Sequence, residues 1–290
     1  MSYIAQTKLN MSENNSKLVK CVLPYSGGVD STTILWKLFN SQKYDEIHCI
    51  SFNYGQRHLV ELECAKWNVE YLNNKHTKTK IVYKTIDIPF LRDIAPTSCL
   101  TNDDVKVPTA KDAENNLKPS SYVPNRNMIM LSIAASYAEA IKALEVFHGA
   151  MLDDFGGYWD CKPAFFEGLN KIFEDNPGCQ IKFETPLMYM SKVDIIKMGL
   201  ENGVHFEHTW SDYSGGEPIS TIRKSVEGVE YIETTYLADV YSANSQLRIN
   251  AFASLGVIDP LPYKQPEIVD FWKKKGCINI QSSEYSKFYN

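Results

Sequence analysis

The chain has 290 residues, 44% of them apolar and 22% charged, with a net charge of −5. That balance suits one large globular domain, or one domain with an appendage, and argues against a protein whose main task is gripping nucleic acid. No stretch approaches the run of about 20 apolar residues that a membrane span needs. The first 18 residues are polar and read as a flexible extension without the apolar core of a secretion signal. Seven cysteines lie scattered with no Cys-x-x-Cys pair, as reduced thiols would. The expected location is the cytoplasm, with no membrane partner and no direct nucleic-acid binding.

Cys21 to Tyr25 is an apolar segment of strand length, and Thr32 to Phe39 repeats its apolar residues at helical spacing. Between them lies Ser26-Gly27-Gly28-Val29-Asp30-Ser31. A strand that turns through two glycines into a helix exposes unpaired backbone N–H groups at the positive end of the helix dipole, which is an anion site. A Cβ in such a loop would obstruct phosphate oxygens, Ser26 and Ser31 add hydroxyl donors, and Asp30 suits a magnesium ion bridging phosphates. The alternative is a serine-capped turn without a ligand. The Lys-Ser/Thr pair of a Walker loop and the third glycine of a dinucleotide loop are both missing.

Further along, Glu46 to Phe52 reads as a strand, Leu59 to Leu72 as a helix, Lys80 to Ile86 as a strand and Asn127 to Leu144 as a long helix. The first half of that helix, Met128 to Ala138, has no charge, which predicts burial on most sides against a sheet. Glu145 to Gly149 then reads as a strand and Pro163 to Phe173 as a helix. Repeated βα alternation predicts an α/β fold, a doubly wound parallel sheet with ligands at the carboxyl ends of its strands. Two regions break the pattern. Residues 89–124 lack periodicity and have the length of a lid; residues 211–243 are similarly irregular, with an insertion over 217–240.

Several segments fall at strand ends. In Tyr54-Gly55-Gln56-Arg57-His58, Gln56 and Arg57 offer forked donors to a planar polar ligand; a solvated turn is the alternative. Arg126, in Tyr122-Val123-Pro124-Asn125-Arg126-Asn127, stands at the mouth of the apolar helix, where an anion would explain it. The stretch from Asp153 to Pro163 mixes carboxylates, glycines and aromatics, as a pocket for a flat ring would. Cys161 is either a nucleophile or a buried inert thiol. His205 and His208 are either a metal pair or packing residues.

Taken in order, these segments resemble the 7-cyano-7-deazaguanine synthase (QueC) family of the PP-loop ATP pyrophosphatase superfamily, over about Lys20 to Tyr263. The resemblance also includes Thr185-Pro186-Leu187, Ser191-Lys192, Thr209-Trp210-Ser211, Leu247-Arg248 and Asp259-Pro260-Leu261-Pro262-Tyr263. It implies a PP-loop ATP-binding domain over 19–205 and a small, mainly helical C-terminal part over 206–290. It implies adenylation of 7-carboxy-7-deazaguanine, attack by ammonia to give the amide, a second activation to the nitrile, and a homodimer. It assigns Ser26, Gly27, Gly28, Val29, Asp30, Ser31 and Thr32 to ATP, with Asp30 at magnesium and Asp30, Ser31 and Lys192 catalytic. Tyr54, Gln56, Arg57, Arg126, Asn127, Asp154 and Asp160 fall on the substrate side.

The departures from the family pattern lie on the acceptor side. Its four zinc-binding cysteines are missing: the first falls on Asp212 and the last two on Ser242 and Ser245, so no zinc is expected. The 217–240 insertion would brace that region or make a new contact. Asn125 stands where the family has glycine, Met151 where it has asparagine, and Lys162 replaces an arginine fork. Three readings follow: a synthase using ammonia, a conjugating ligase of the kind found in antiphage operons with an amine of a partner protein as acceptor, and a silent nucleotide-binding partner. The intact Ser26–Ser31 loop counts against the third.

Overall fold

The computed structural model describes residues 18–56, 60–75, 77–102, 104–107, 120–224 and 230–279. The expected extension, except Leu18, together with Arg57, His58 and the middle of the 89–124 segment, lies outside the described residues.

The chain alternates β1 (Lys20–Pro24), α1 (Val29–Ser41), β2 (Glu46–Asn53), α2 (Val60–Asn73) and β3 (Lys80–Asp87), then a short α3 (Phe90–Ile94). After α4 (Arg126–Ile141) come β4 (Glu145–Phe147), α5 (Pro163–Glu174), β5 (Lys182–Glu184) and α6 (Lys192–Glu201). The five strands form one sheet in the order β3-β2-β1-β4-β5. Every pairing is parallel, with Cys21 beside Ile47 on one side and Glu145 on the other. Because side chains alternate across a strand, Cys21, Leu23 and Tyr25 enter one apolar cluster, with α1 and α6. Val22 enters a second cluster on the opposite face, with α4 and α5. Chain order reverses between β1 and β4, and a doubly wound sheet opens its ligand crevice at that point.

Local chemistry explains the element ends. Apolar Ile34, Leu35, Leu38 and Phe39 seat α1 on the sheet, and the helix stops at Gln42, whose φ is +52° and whose N–H donates to the Phe39 carbonyl. α4 ends similarly at Lys142, with φ +62°. α4 is buried on most sides, as expected. Leu131, Ala134, Ala135 and Ala138 are buried, Met128, Ile129, Met130, Ile133 and Tyr137 pack half-buried against the same cluster, and only Ser132 and Ser136 of the 128–138 stretch are exposed.

The C-terminal part carries a hairpin beside its helices, and one expectation is corrected here. The 211–243 stretch, expected to be irregular, contains an antiparallel hairpin of β6 (Glu217–Lys224) and β7 (Glu230–Leu237), in register from Glu217–Leu237 to Lys224–Glu230. Density of β-branched residues at Ile219, Thr221 and Ile222 favours strand over loop. The base of the hairpin is anchored by Tyr236, edge-on to Trp210 and donating to Glu63 Oε1 at 3.1 Å. α7 (Ala243–Ser254) and α8 (Glu267–Lys275) follow, and Ile249, Phe252 and Trp272 share the core of α1 and α6. His205 and His208 are packing residues: His208 stacks on Trp67 at 3.5 Å, and His205 lies edge-on to Trp67 and Tyr71.

Candidate active site

At the carboxyl end of β1 the chain bends through Ser26–Gly28 into α1. Gly27 has φ +85°, and a Cβ there would stand 2.2 Å from the Glu61 carbonyl oxygen, so only glycine lets the loop press against α2. Gly28 caps α1 in an extended conformation, and its N–H donates to Ser26 Oγ at 3.1 Å. The first bond of the helix runs from Thr32 N to the Gly28 carbonyl at 3.0 Å, which leaves the N–H groups of Val29, Asp30 and Ser31 without intrahelical acceptors. The hydroxyls of Ser26 and Ser31 lie 3.1 Å apart at the mouth of this nest. Val29 and Thr32 turn their side chains inward, Thr32 to the Tyr25 hydroxyl at 3.1 Å, so they offer the loop their backbone only.

The loop opens into a cleft of about 220 Å³. Of the expected residues, Ser26, Gly28, Asp30, Ser31, Tyr54, Gln56, Arg126, Asn127 and Asp154 line it. Arg126 Nη1 donates to the Tyr54 hydroxyl at 3.4 Å, and Tyr158 and Tyr213 complete an aromatic wall around the guanidinium. Asn125, with φ +55°, turns the chain into α4 ahead of Arg126; asparagine tolerates that left-handed backbone best after glycine.

Three expected residues are used differently in this structure. Gln56 closes on its own turn: its Oε1 accepts from Tyr54 N at 2.9 Å and its Nε2 donates to the Phe52 carbonyl at 3.1 Å. Asp160 lies behind the cleft wall, its Oδ2 accepting from Asn127 N at 3.2 Å at the start of α4, with no partner for its Oδ1 among the described residues. Cys161 lines the cleft, but burial and the nearby Asp154 carboxylate push its thiol well up, and its sulfur accepts from Asn127 Nδ2 at 3.2 Å. It is held as an inert thiol.

Lys192, the first residue of α6, reaches across the crevice to Asp30 Oδ1 at 2.6 Å. Burial and the neighbouring Asp30 charge raise the Asp154 carboxyl from 3.8 to about 6, against the opposing pull of Lys192. A carboxyl raised in the folded state favours folding when neutral and opposes it when ionised. That cost is absent below pH about 4 and complete above pH about 6. Asp154→Asn is therefore expected to stabilise the protein at pH 7.5, by at most about 3 kcal/mol on the scale of 1.36 kcal/mol per unit. The gain should vanish near pH 4, and catalysis should weaken. Melting curves at both pH values check it; equal gains at both would exclude titration of Asp154 as the cause.

Sequence reasoning missed His148 and Tyr213 in the cleft wall. His148 follows β4 directly, so the rule that places ligands at strand ends was the signal available for it. Tyr213 had none, because its segment reaches the cleft through tertiary packing.

A family model described as queuosine biosynthesis protein QueC matches residues 20–224. The 7-cyano-7-deazaguanine synthase of Hahella chejuensis is 39% identical over 209 residues, covering 71% of this chain and 86% of that protein. The chain belongs to the QueC family. The corresponding synthase of Caldicellulosiruptor saccharolyticus is 37% identical over 257 residues, 89% of this chain and 100% of its own length. An NH3-dependent NAD synthetase from Campylobacter jejuni, solved with a nitrate ion, aligns over 67% of this chain and 68% of its own. At a TM-score of 0.40 and 18% identity that likeness bears on no functional point. As a QueC family member the protein is an ATP-using carbon–nitrogen ligase, and its glycine loop is the family's PP-loop.

Positions where this member departs from the family have a clear local structure. Met151 is buried against the core and Lys162 is exposed at the start of α5. Asp212 is fully buried, its oxygens accepting from Ser214 N at 2.9 Å and from Asp239 N at 2.8 Å, which clasps the base of the hairpin. Ser242 Oγ donates to Ser245 Oγ at 2.9 Å. A carboxylate accepting backbone hydrogen bonds and a hydroxyl pair do not form a zinc donor set.

Proposed function

We propose that this protein adenylates the carboxylate of 7-carboxy-7-deazaguanine and passes the acyl group to ammonia. A carboxylate oxygen attacks the α-phosphorus of ATP and pyrophosphate leaves. Ammonia then displaces AMP to give the amide, and a second activation, on the amide oxygen, leads to the nitrile. The observation that supports this reading most is the single cleft joining the Ser26–Ser31 loop to Arg126 and three tyrosines. Backbone N–H groups at one end suit phosphates, and a cation among aromatic rings at the other suits a flat, anionic heterocycle. Lys192, 2.6 Å from Asp30, would compensate phosphate charge once Asp30 turns to a metal.

Asp30 is the residue that would hold magnesium, with Asp154 beside it. Among the described residues no three His, Cys, Asp or Glu side chains gather into a metal site of their own. That fits an ion carried largely by ATP phosphates and one or two carboxylates. When bound, it neutralises charge on the departing pyrophosphate. Zinc has no part in this reading, because the Asp212, Ser242 and Ser245 set does not suit it. The seven cysteines are all free thiols, which supports a cytoplasmic enzyme. A homodimer completes the reading, with the exposed rings of Trp159 and Tyr189 as available apolar surface.

A second reading, transfer to an amine of a partner protein, is favoured by the β6–β7 hairpin, a two-stranded arm based beside the PP-loop at Trp210. An exposed strand edge there would seat an extended acceptor peptide. One experiment separates the two: pyrophosphate release from ATP and 7-carboxy-7-deazaguanine, with and without ammonium, with products read by mass spectrometry. Ammonium-dependent amide or nitrile is expected. Pyrophosphate without an ammonium-dependent product would move the assignment to a protein acceptor, and no pyrophosphate would overturn both.

A further inference from the structure

His148 is a half-buried titratable group on the cleft wall to which the family resemblance assigns no role. It is the first residue beyond β4, and its backbone N–H still pairs with the Glu184 carbonyl at 2.9 Å, so the edge of the sheet fixes its position. Its ring lines the cleft and packs against Phe166, centroids 5.2 Å apart. Nδ1 accepts the Ala150 N–H at 3.1 Å. A nitrogen that accepts has no proton, so the neutral ring bears its hydrogen on Nε2. Nε2 has no hydrogen-bond partner among the described residues, which leaves its N–H available to a molecule in the cleft that His148 lines.

Two neighbours define what lies in front of that donor. The next residue, Gly149, approaches the PP-loop so closely that a Cβ on it would be 3.5 Å from Asp30 Cβ and 3.6 Å from Ser31 N. Arg126 lines the same cleft and its charge acts on the ring. Burial and the Arg126 charge lower the imidazole to about 4, so the ring is neutral at working pH. A neutral N–H in the cleft that the 26–31 loop and Arg126 also line suits an oxygen that gains charge during reaction. It adds no fixed positive charge that would hold the ground-state carboxylate.

We propose that His148 is a substrate-contacting residue, whose Nε2–H donates to the acyl oxygen of the adenylate as the acceptor attacks. The C–N bond forms, negative charge collects on that oxygen, and AMP leaves as the carbonyl re-forms; His148 keeps its proton throughout. This assignment rests on the proposed adenylation reading.

The test compares the wild type with His148→Phe and His148→Gln. Steady-state rates are measured with ATP, 7-carboxy-7-deazaguanine and saturating ammonium, and a non-hydrolysable ATP analogue is titrated as a check on the loop. His148→Phe is expected to lower kcat about 100-fold, the usual cost of one such donor, with analogue affinity unchanged. His148→Gln, whose amide reaches the Nε2 position, should recover most of the loss. Should the Phe variant fail to fold, His148→Asn replaces it, since the shorter amide reaches only the Nδ1 position. Full activity in the variant lacking the donor, or equal losses in Phe and Gln, would overturn the role of His148 alone. A wild type that releases no pyrophosphate from these substrates would overturn the adenylation reading and this inference together.

Discussion

Asp30→Ala is expected to cut pyrophosphate release from ATP by 10²–10³-fold or more, the usual cost of about 3–4 kcal/mol for removing one group that stabilises charge in the transition state. Asp30 stands in the first turn of α1, lines the cleft and has Lys192 as its partner at 2.6 Å. On the proposed reading, a bound magnesium ion would lose the carboxylate that holds it, and the Lys192 ammonium would lose its partner at 2.6 Å. Folding should be little affected: the pair is partly open to solvent, and such pairs contribute about 1 kcal/mol or less. Circular dichroism and melting check the fold, and a coupled pyrophosphate assay checks the rate. Undiminished turnover in a folded variant would sink the assignment of Asp30.

Arg248→Met should be the most destabilising single change in the C-terminal part. The guanidinium is almost fully buried and bonds in several directions: to both Asp259 oxygens at 2.6 and 2.8 Å, to the Thr209 carbonyl at 3.0 Å and to the Phe206 carbonyl at 2.8 Å. Asp259 also accepts from the Tyr263 hydroxyl at 2.7 Å. Removing one member strands a buried charge and several polar groups, a loss of about 3–5 kcal/mol. In a chain of this size that lowers the melting temperature by roughly 10 °C. The effect should reach the site, because Thr209 leads into Trp210, whose N–H donates to the Gly27 carbonyl at 3.2 Å under the PP-loop. ATP-analogue affinity is therefore expected to fall together with stability. The double change Arg248→Met with Asp259→Leu, which leaves no orphaned charge, should recover part of the stability. If Arg248→Met melts like the wild type, the pair is not the anchor described here.

The PP-loop was legible because it is local. Six consecutive residues hold the glycines, hydroxyls and carboxylate, and a strand before and a helix after fix their geometry. The parallel sheet was equally legible, since apolar periodicity reports which face of each element is buried. The hairpin escaped for the opposite reason. Its strands are largely polar in sequence and 217–220 are exposed, so no core imprints an apolar pattern there, and only β-branched density marked 219–222 as strand.

Side-chain roles divided along the same line. Gln56 and Asp160 were expected at the substrate chiefly from the family resemblance, yet Gln56 is tied to the Phe52–Tyr54 backbone and Asp160 to the first turn of α4. A carboxylate or amide bonds to whichever donor the packed chain brings near, and composition does not say which. By itself the sequence determined the family, the α/β sheet and the strand–glycine loop–helix turn, because short-range geometry and hydrophobic period encode them. Only the tertiary structure decided that Lys192 meets Asp30 across 162 residues, that Asp212 clasps the hairpin, and that His148 and Tyr213 face Arg126. Those contacts join distant segments, and their positions follow from how two cores pack on one sheet rather than from any local pattern.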